Sequence, residues 1–158
     1  MKKLLFVFGL VLLASCSTND DSPDQGMDSM DKVPPLSDGG ETQSNFVPCE
    51  DGMAGSYPCS GYDLLGQIFL GTFNASSGND IWGWTDPATD KEYVLMGLNN
   101  GTAFVDITDT ENLIYLGKLP TATGPSSWRD IKVYQDHAFI GSEANGHGMQ
   151  VFDLTRLR

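Results

Sequence analysis

The sequence predicts an all-β fold, because short apolar runs are separated by turn residues and one two-run unit occurs twice. The runs 93–98 and 103–107 flank Asn99-Asn100-Gly101. An Asn-Gly pair between apolar runs is a strong hairpin signal, since both residues can adopt positive φ. Two further apolar runs lie around Asn145-Gly146, between residues 137 and 155. From residue 46 onwards no stretch keeps a helical period over ten residues.

Eight strands are expected, each rich in β-branched, aromatic or other large apolar residues and bounded by turn residues. In chain order they span residues 62–70, 81–84, 93–98, 102–108, 113–119, 130–134, 137–142 and 149–155. The two runs of the 93–107 hairpin do not alternate cleanly with polar residues, so both faces of these strands are expected to be covered.

The unit that occurs twice has the length of a β-propeller blade. Asp80 matches Asp130 and Gly97 matches Gly141, which are 50 and 44 residues apart, and Asp106 matches Asp153. A repeat in the forties with four short strands is typical of a propeller blade. The first copy has four strands and the second has three, so about one and three-quarter blades are present. A closed propeller needs at least about four blades. We therefore expect an N-terminal fragment, the alternative being a short form that assembles blades from several chains.

The N-terminus resembles a bacterial lipoprotein signal peptide. Met1-Lys2-Lys3 is positively charged, and the apolar run Leu4–Leu13 is too short to span a bilayer. It leads into Leu13-Ala14-Ser15-Cys16, which resembles a lipobox. We expect residues 1–15 to be removed and Cys16 to carry the lipid anchor, which would be the only membrane contact. The alternative is an ordinary signal peptide with an incidental cysteine.

Residues 16–45 are expected to form a lipidated cysteine followed by a disordered acidic tether. After Cys16 the tether contains seven acids and one base, Lys32, with few apolar residues to offset the entropy of ordering. The acids soon after Cys16 resemble the signal that sends some lipoproteins to the outer face of the outer membrane. We therefore expect an exported outer-membrane lipoprotein, with surface exposure favoured over the periplasmic face.

Cys49 and Cys59 are the two cysteines that remain for the ordered part of an exported chain. An even pair in an oxidising compartment predicts a disulfide. The alternative is a metal pair, which lacks a third cysteine or a nearby histidine.

The charge of the chain argues against nucleic acid as a partner. Nine Lys and Arg residues stand against 21 Asp and Glu residues, and the formal net charge is -12. A nucleic-acid-binding surface requires a basic patch that displaces counterions from phosphates.

Several motifs resemble the start of the choice-of-anchor B family, whose members carry an LVIVD-repeat, propeller-like domain on bacterial surfaces. Phe104–Thr108 and Val151–Thr155 resemble the LVIVD repeat. The stretch from Cys49 to Leu65, the Trp-rich run Ser77–Pro87 and the run Ser127–Tyr134 are similar to the start of this family. The resemblance covers residues 46–158 as the N-terminal part of the domain. It implies an architecture and a surface location only, since no enzymatic activity is assigned to the family.

Trp82, Trp84 and Trp128 are candidates for a ligand-stacking platform, since a sugar ring needs a flat apolar face. Aromatic residues at repeat-equivalent positions more often pack one blade against the next. Six aspartates are candidate calcium ligands, although capping of turns is the favoured role. They are Asp80, Asp86, Asp106, Asp109, Asp130 and Asp153.

Glu143 and His147, with His137, form the only cluster with metal or catalytic chemistry available. A loop histidine without chemistry is the favoured interpretation of His147, and no catalytic residue, metal ligand set or cofactor is expected. The sequence therefore predicts a non-catalytic binding module for a glycan, peptide or protein ligand. The alternative is an exported hydrolase or lyase whose active site is completed by further C-terminal blades.

Overall fold

The computed structural model describes residues 42–43 and 46–158. The predicted signal peptide, Cys16 and nearly all of the tether lie outside the described residues. The all-β class is confirmed, because the described chain consists of antiparallel sheets, none of which closes on itself. In the described part of the chain, no helix is long and apolar enough to cross a membrane.

The first sheet is a four-strand meander with one short additional strand. Its strands are β1 (Thr42–Gln43), β4 (Gly78–Thr85), β5 (Glu92–Leu98), β6 (Gly101–Asp106) and β7 (Leu113–Pro120). Their order across the sheet is β1-β7-β6-β5-β4, so β4 to β7 pair consecutively, as in the predicted blade.

The second sheet has three strands in the order β10-β9-β8 and is followed by a 3₁₀ helix, Leu154–Leu157. The strands are β8 (Arg129–Tyr134), β9 (His137–Ser142) and β10 (Met149–Asp153). The strand predicted over 149–155 therefore ends at Asp153. There the carboxylate accepts a hydrogen bond from the Thr155 amide (3.0 Å) and caps the helix.

A small hairpin, β2 (Met53–Ala54) with β3 (Tyr57–Pro58), lies ahead of the first sheet. The disulfide predicted between Cys49 and Cys59 is confirmed, with 5.9 Å between the two Cα atoms. It closes the loop that contains the hairpin.

The main core lies between the two sheets. From the first sheet, the indole of Trp84 stacks on Tyr93 with ring centroids 5.2 Å apart. Phe104 of the same sheet stacks on Phe152 of the second sheet at 4.5 Å. Buried residues Leu95, Ile131, Ala138, Ile140, Leu154 and Leu157 complete this cluster. The two copies of the repeat thus pack face to face.

The second face of the first sheet is covered by the segment that precedes it. Phe73 is buried there beside Leu98, Ala103 and Val105, and Ile68 packs against the same cluster. The prediction of a strand over 62–70 is wrong, since among the described residues its β-pairing is limited to the bridge between Leu64 and Val47. Its apolar side chains contact the face of a sheet, and no edge strand lies beside its backbone.

The Asn-Gly hairpin is confirmed, but its expected turn geometry holds only in part. Gly101 has positive φ (158°), whereas the loop residues Asn99 and Asn100 do not. Contacts from elsewhere hold the turn: the Asn100 amide nitrogen donates to the Asn74 carbonyl (2.6 Å), and Lys118 Nζ donates to Asn100 Oδ1 (3.0 Å). Because the turn is tied to two other segments, tertiary contacts override the local preference for positive φ.

Candidate functional site

A cavity of about 530 Å³ opens beside the starts of β4 and β8. It is lined by residues 79–80 of β4, residues 128–130 at the start of β8, and residues 141–143 at the end of β9. The lining contains an indole, three carboxylates, a guanidinium, an amide and a hydroxyl. Such a mixture of one apolar plane with convergent polar groups is typical of a binding site for a polar ligand.

Cross-sheet hydrogen bonds fix the floor of this cavity. Asn79 Oδ1 accepts from the Arg129 amide (3.0 Å), and Asp80 Oδ2 accepts from the Ile131 amide (2.7 Å). Burial alone would raise the pKa of Asp80. Hydrogen bonds to its carboxylate, chiefly the bond from the Ile131 amide, outweigh the effect of burial and lower the pKa below its usual value. Gly97 leaves room for this approach, since a Cβ there would lie 3.1 Å from the Asp80 carbonyl oxygen. The side chains of β4 are thus tied to the backbone of β8 on one side of the cavity.

Trp128 presents its indole at the mouth of the cavity. Its backbone is anchored: the carbonyl accepts hydrogen bonds from Ser142 Oγ (3.1 Å) and the Glu143 amide (3.2 Å), and its amide donates to Ser126 Oγ (3.1 Å). The residue is nevertheless 62% exposed. An anchored backbone below an exposed aromatic ring provides a plane on which a ligand can stack with little loss of protein entropy.

Arg129 lies behind Trp128 and is buried, with 3% of its surface exposed. Its Nε donates to the Leu98 carbonyl (3.0 Å), and its Nη1 contacts His147 Nε2 (3.2 Å). Because guanidinium nitrogens only donate, Nε2 is the acceptor, and the His147 proton sits on Nδ1 and is donated to the Gly148 carbonyl (3.0 Å). Burial lowers the pKa of Arg129. Its Nη2 has no hydrogen-bond partner among the described residues.

The three carboxylates of the cavity differ in their partners. Lys132 Nζ lies 2.6 Å from Asp130 Oδ1 and 3.7 Å from Asp80 Oδ2, so one ammonium group offsets two negative charges. Glu143 is exposed, and its carboxylate makes no hydrogen bond or ion pair with the described residues. Glu143 is therefore the carboxylate of this cavity that is available to accept hydrogen bonds from a ligand.

The structure does not bring the three tryptophans onto one platform. Trp84 is 6% exposed and belongs to the core between the sheets. Trp82 lies under Lys132, whose Nζ is 4.7 Å from the ring centroid. Lys132 follows Trp128 by four residues, so the backbones of these two residues are roughly 13 Å apart in extended chain. Trp128 alone of the three lines the cavity.

The histidines and Glu143 are likewise divided. His137 pairs with Asp153 and Tyr134 at one end of β9, whereas Glu143 follows the other end. Among the described residues, no three His, Cys, Asp or Glu side chains come together in a way that could hold a metal ion.

Four of the six aspartates proposed as calcium ligands cap turns, as the sequence interpretation favoured. Asp86, Asp106 and Asp109 accept from the amides of residues 88, 108 and 111, and Asp153 caps the 3₁₀ helix. Asp86 is buried and also receives two hydrogen bonds of 2.8 Å from Arg158. Those bonds, chiefly, hold the pKa of Asp86 well below its usual value.

Sequence reasoning did not assign Asn79, Arg129 and Ser142 to a site. The repeat contained a signal for two of them, because Asn79 and Arg129 each directly precede the matched Asp-Ile pair. Burial of an arginine in an acidic chain, however, depends on the second sheet packing over it.

No protein-family model, no curated protein and no solved structure matches this chain.

Proposed function

We propose that this chain is an exported, lipid-anchored surface protein whose propeller-like domain binds a ligand without chemical conversion. The signal-like N-terminus and the lipobox-like Leu13–Cys16 support export and anchoring. The disulfide between Cys49 and Cys59 is in keeping with an oxidising compartment outside the cytoplasm. The choice-of-anchor B resemblance and the face-to-face packing of two repeat copies support the assignment of the sheets as propeller blades.

We place ligand binding at the cavity beneath Trp128. The observation that carries this is the combination of an exposed, backbone-anchored indole with the carboxylate of Glu143 beside it, which has no partner among the described residues. A sugar ring offers an apolar face for the indole and hydroxyl groups for Glu143, Asn79 and Asp130. A glycan therefore fits the cavity better than a peptide of equal size does, since a peptide carries fewer donors for each apolar face.

Screening of immobilised glycans with the full chain tests this assignment. For any glycan bound, Trp128→Ala is expected to weaken binding by about tenfold to a hundredfold, since a stacked ring contributes roughly 1–3 kcal/mol, by analogy with base–aromatic stacking. Tyr62→Ala is the control, because that aromatic ring is 82% exposed and does not line the cavity, and its affinity should equal that of the unaltered chain. Equal losses in both variants, or binding that is indifferent to Trp128, would contradict the proposed site.

The anchor is tested separately by fractionation. Cys16→Ala is expected to move the protein from the membrane fraction to the soluble exported fraction, because the acyl chains can no longer be attached. Protease treatment of intact cells then reports whether the domain faces the exterior. A Cys16→Ala variant that stays wholly in the membrane fraction would overturn the lipoprotein assignment.

One observation favours the alternative of an exported hydrolase or lyase. Three carboxylates line one cavity, and paired carboxylates can act as general acid and base or nucleophile on a glycosidic bond. If the cavity is catalytic, a bound glycan is cleaved, and Glu143→Gln keeps binding while abolishing the products. A bound glycan that is recovered intact after prolonged incubation identifies the binding module instead.

A further inference from the structure

The chain contains two Asn-Gly pairs in its paired sheets, and the structure holds them in different ways. Asn100-Gly101 lies at the turn from β5 to β6, and Asn145-Gly146 lies at the turn from β9 to β10. Asn-Gly pairs deamidate readily, because glycine has no side chain to hinder attack by its backbone nitrogen on the preceding side-chain amide. The two pairs share this chemistry, so a difference in their reactivity must come from their surroundings.

The side chain of Asn100 is held at both ends. Its Nδ2 donates to the Asn74 carbonyl (2.6 Å), and its Oδ1 accepts from Lys118 Nζ (3.0 Å). Gly101 is buried as the first residue of β6. To react, the Asn100 side chain must leave both partners and turn back onto the Gly101 nitrogen. Two hydrogen bonds of ordinary net strength make such conformers about tenfold to a hundredfold rarer.

The side chain of Asn145 is exposed and has no hydrogen-bond partner among the described residues. The Gly146 amide likewise donates to no described residue. No atom lies within 4 Å of the position that a Cβ of Gly146 would occupy, so the space beside this residue is open. The turn itself is closed around the pair, since the His147 amide donates to the Ala144 carbonyl (3.1 Å). Both groups that must react are therefore free.

We propose that Asn145 is a site of spontaneous deamidation in the folded protein, whereas Asn100 is protected. The Gly146 backbone nitrogen attacks Cγ of Asn145, and the new N–C bond closes a succinimide ring. The Cγ–Nδ2 bond breaks, and Nδ2 leaves as ammonia with the proton that the Gly146 nitrogen gives up. Water then opens the ring at either carbonyl, which yields an aspartate or an isoaspartate at position 145.

The product changes the loop that contributes Glu143 to the cavity beneath Trp128. Either product adds a second carboxylate to this loop. An isoaspartate also adds one backbone atom inside the turn that the His147 amide closes on the Ala144 carbonyl. His147 supplies the ring nitrogen that contacts Arg129 Nη1 (3.2 Å), so the contact behind the cavity is loosened. An effect on ligand affinity rests on the proposed function, whereas the modification and its effect on the loop do not.

Peptide mapping by mass spectrometry tests the site in the full chain, incubated in its folded state at mildly alkaline pH. Deamidation at Asn145 is expected to be about tenfold to a hundredfold faster than at Asn100, because of the two hydrogen bonds that hold Asn100. Equal rates at the two sites, or a faster reaction at Asn100, would overturn the proposal.

The same incubation in guanidinium chloride is the matched control, since unfolding removes the contacts of Asn100. The two rates should then become similar. A difference of unchanged size in the unfolded chain would assign the selectivity to sequence neighbours and contradict the role of the fold. In the folded chain, Lys118→Met should speed deamidation at Asn100 by about fivefold, because one hydrogen bond is lost. An unchanged rate in this variant would contradict protection by that contact.

Amide hydrogen exchange measures the effect on the loop. In the deamidated chain the His147 amide should exchange about fivefold faster, because its hydrogen bond to the Ala144 carbonyl is weakened. Asn145→Gln is the control variant, since glutamine has to close a larger ring, which forms much more slowly; after the same incubation it should keep the exchange rate of fresh protein. Equal acceleration in the Asn145→Gln chain would show that the loop changes without deamidation and would overturn this consequence.

Discussion

Replacement of Trp84 by alanine tests whether the two sheets form one cooperative unit. Trp84 is 6% exposed, stacks on Tyr93 and belongs to the cluster that joins β4–β7 to β8–β10. Its removal leaves a cavity at the centre of the main core. A buried tryptophan replaced by alanine typically costs about 3–5 kcal/mol, because apolar burial is lost and the surroundings relax only partly.

That loss is a large part of the about 5–15 kcal/mol by which domains are stable. With a urea slope of about 2 kcal/mol per M, a loss of about 4 kcal/mol lowers the unfolding midpoint by about 2 M. Urea unfolding followed by circular dichroism measures this shift. Trp128→Ala is the matched control, since Trp128 is 62% exposed, and it should change stability by about 0.5 kcal/mol or less. Equal shifts in the two variants would refute the assignment of Trp84 to a shared core.

Two further predictions concern acid and reduction. The pKa of Asp86 is lowered chiefly by its hydrogen bonds with Arg158. The ionised carboxylate therefore stabilises the fold fully above the unfolded-state pKa of about 3.9, and this stabilisation is lost as the pH falls below that value. The urea midpoint should therefore fall between about pH 4 and pH 2, and Asp86→Asn, already less stable at neutral pH, should show a smaller fall; identical profiles would contradict this account. Removing the disulfide by Cys49→Ser with Cys59→Ser should speed amide hydrogen exchange in residues 46–61 by about a hundredfold, which corresponds to about 2.8 kcal/mol for a loop of this length. Exchange in β5 should stay unchanged, and equal acceleration there would show that the loop is part of the main cooperative unit.

The binding site was only partly predictable from sequence. From the sequence, Trp128 was a candidate stacking residue together with Trp82 and Trp84, and Glu143 was a candidate metal or polar ligand together with His147. Their neighbours Asn79 and Ser142 are common polar residues whose role depends on β4, β8 and β9 meeting at one place. Proximity of that kind arises from sheet packing, which leaves no periodic signal along the chain.

The sequence by itself determined the features that depend on neighbouring residues. Apolar runs and the turn at Asn99-Asn100 set seven of the eight predicted strands to within a few residues, the exception being 62–70, and the spacing of Asp80 and Asp130 revealed the repeat. Strand propensity and turn chemistry act over a few bonds, so they can be read directly from the order of residues.

Only the tertiary structure decided which equivalent residues are buried and which are free. Trp82 and Trp84 have the same chemistry and lie two positions apart on one face of β4, yet Trp84 is buried in the core between the sheets, whereas Trp82 lies under the Lys132 side chain and stays 38% exposed. The segment 62–70 is apolar enough to predict a strand, but it packs on the face of the first sheet, and its β-pairing among the described residues is limited to the bridge between Leu64 and Val47. A strand requires a partner edge to satisfy its backbone, and where that edge lies is a property of the assembled sheets.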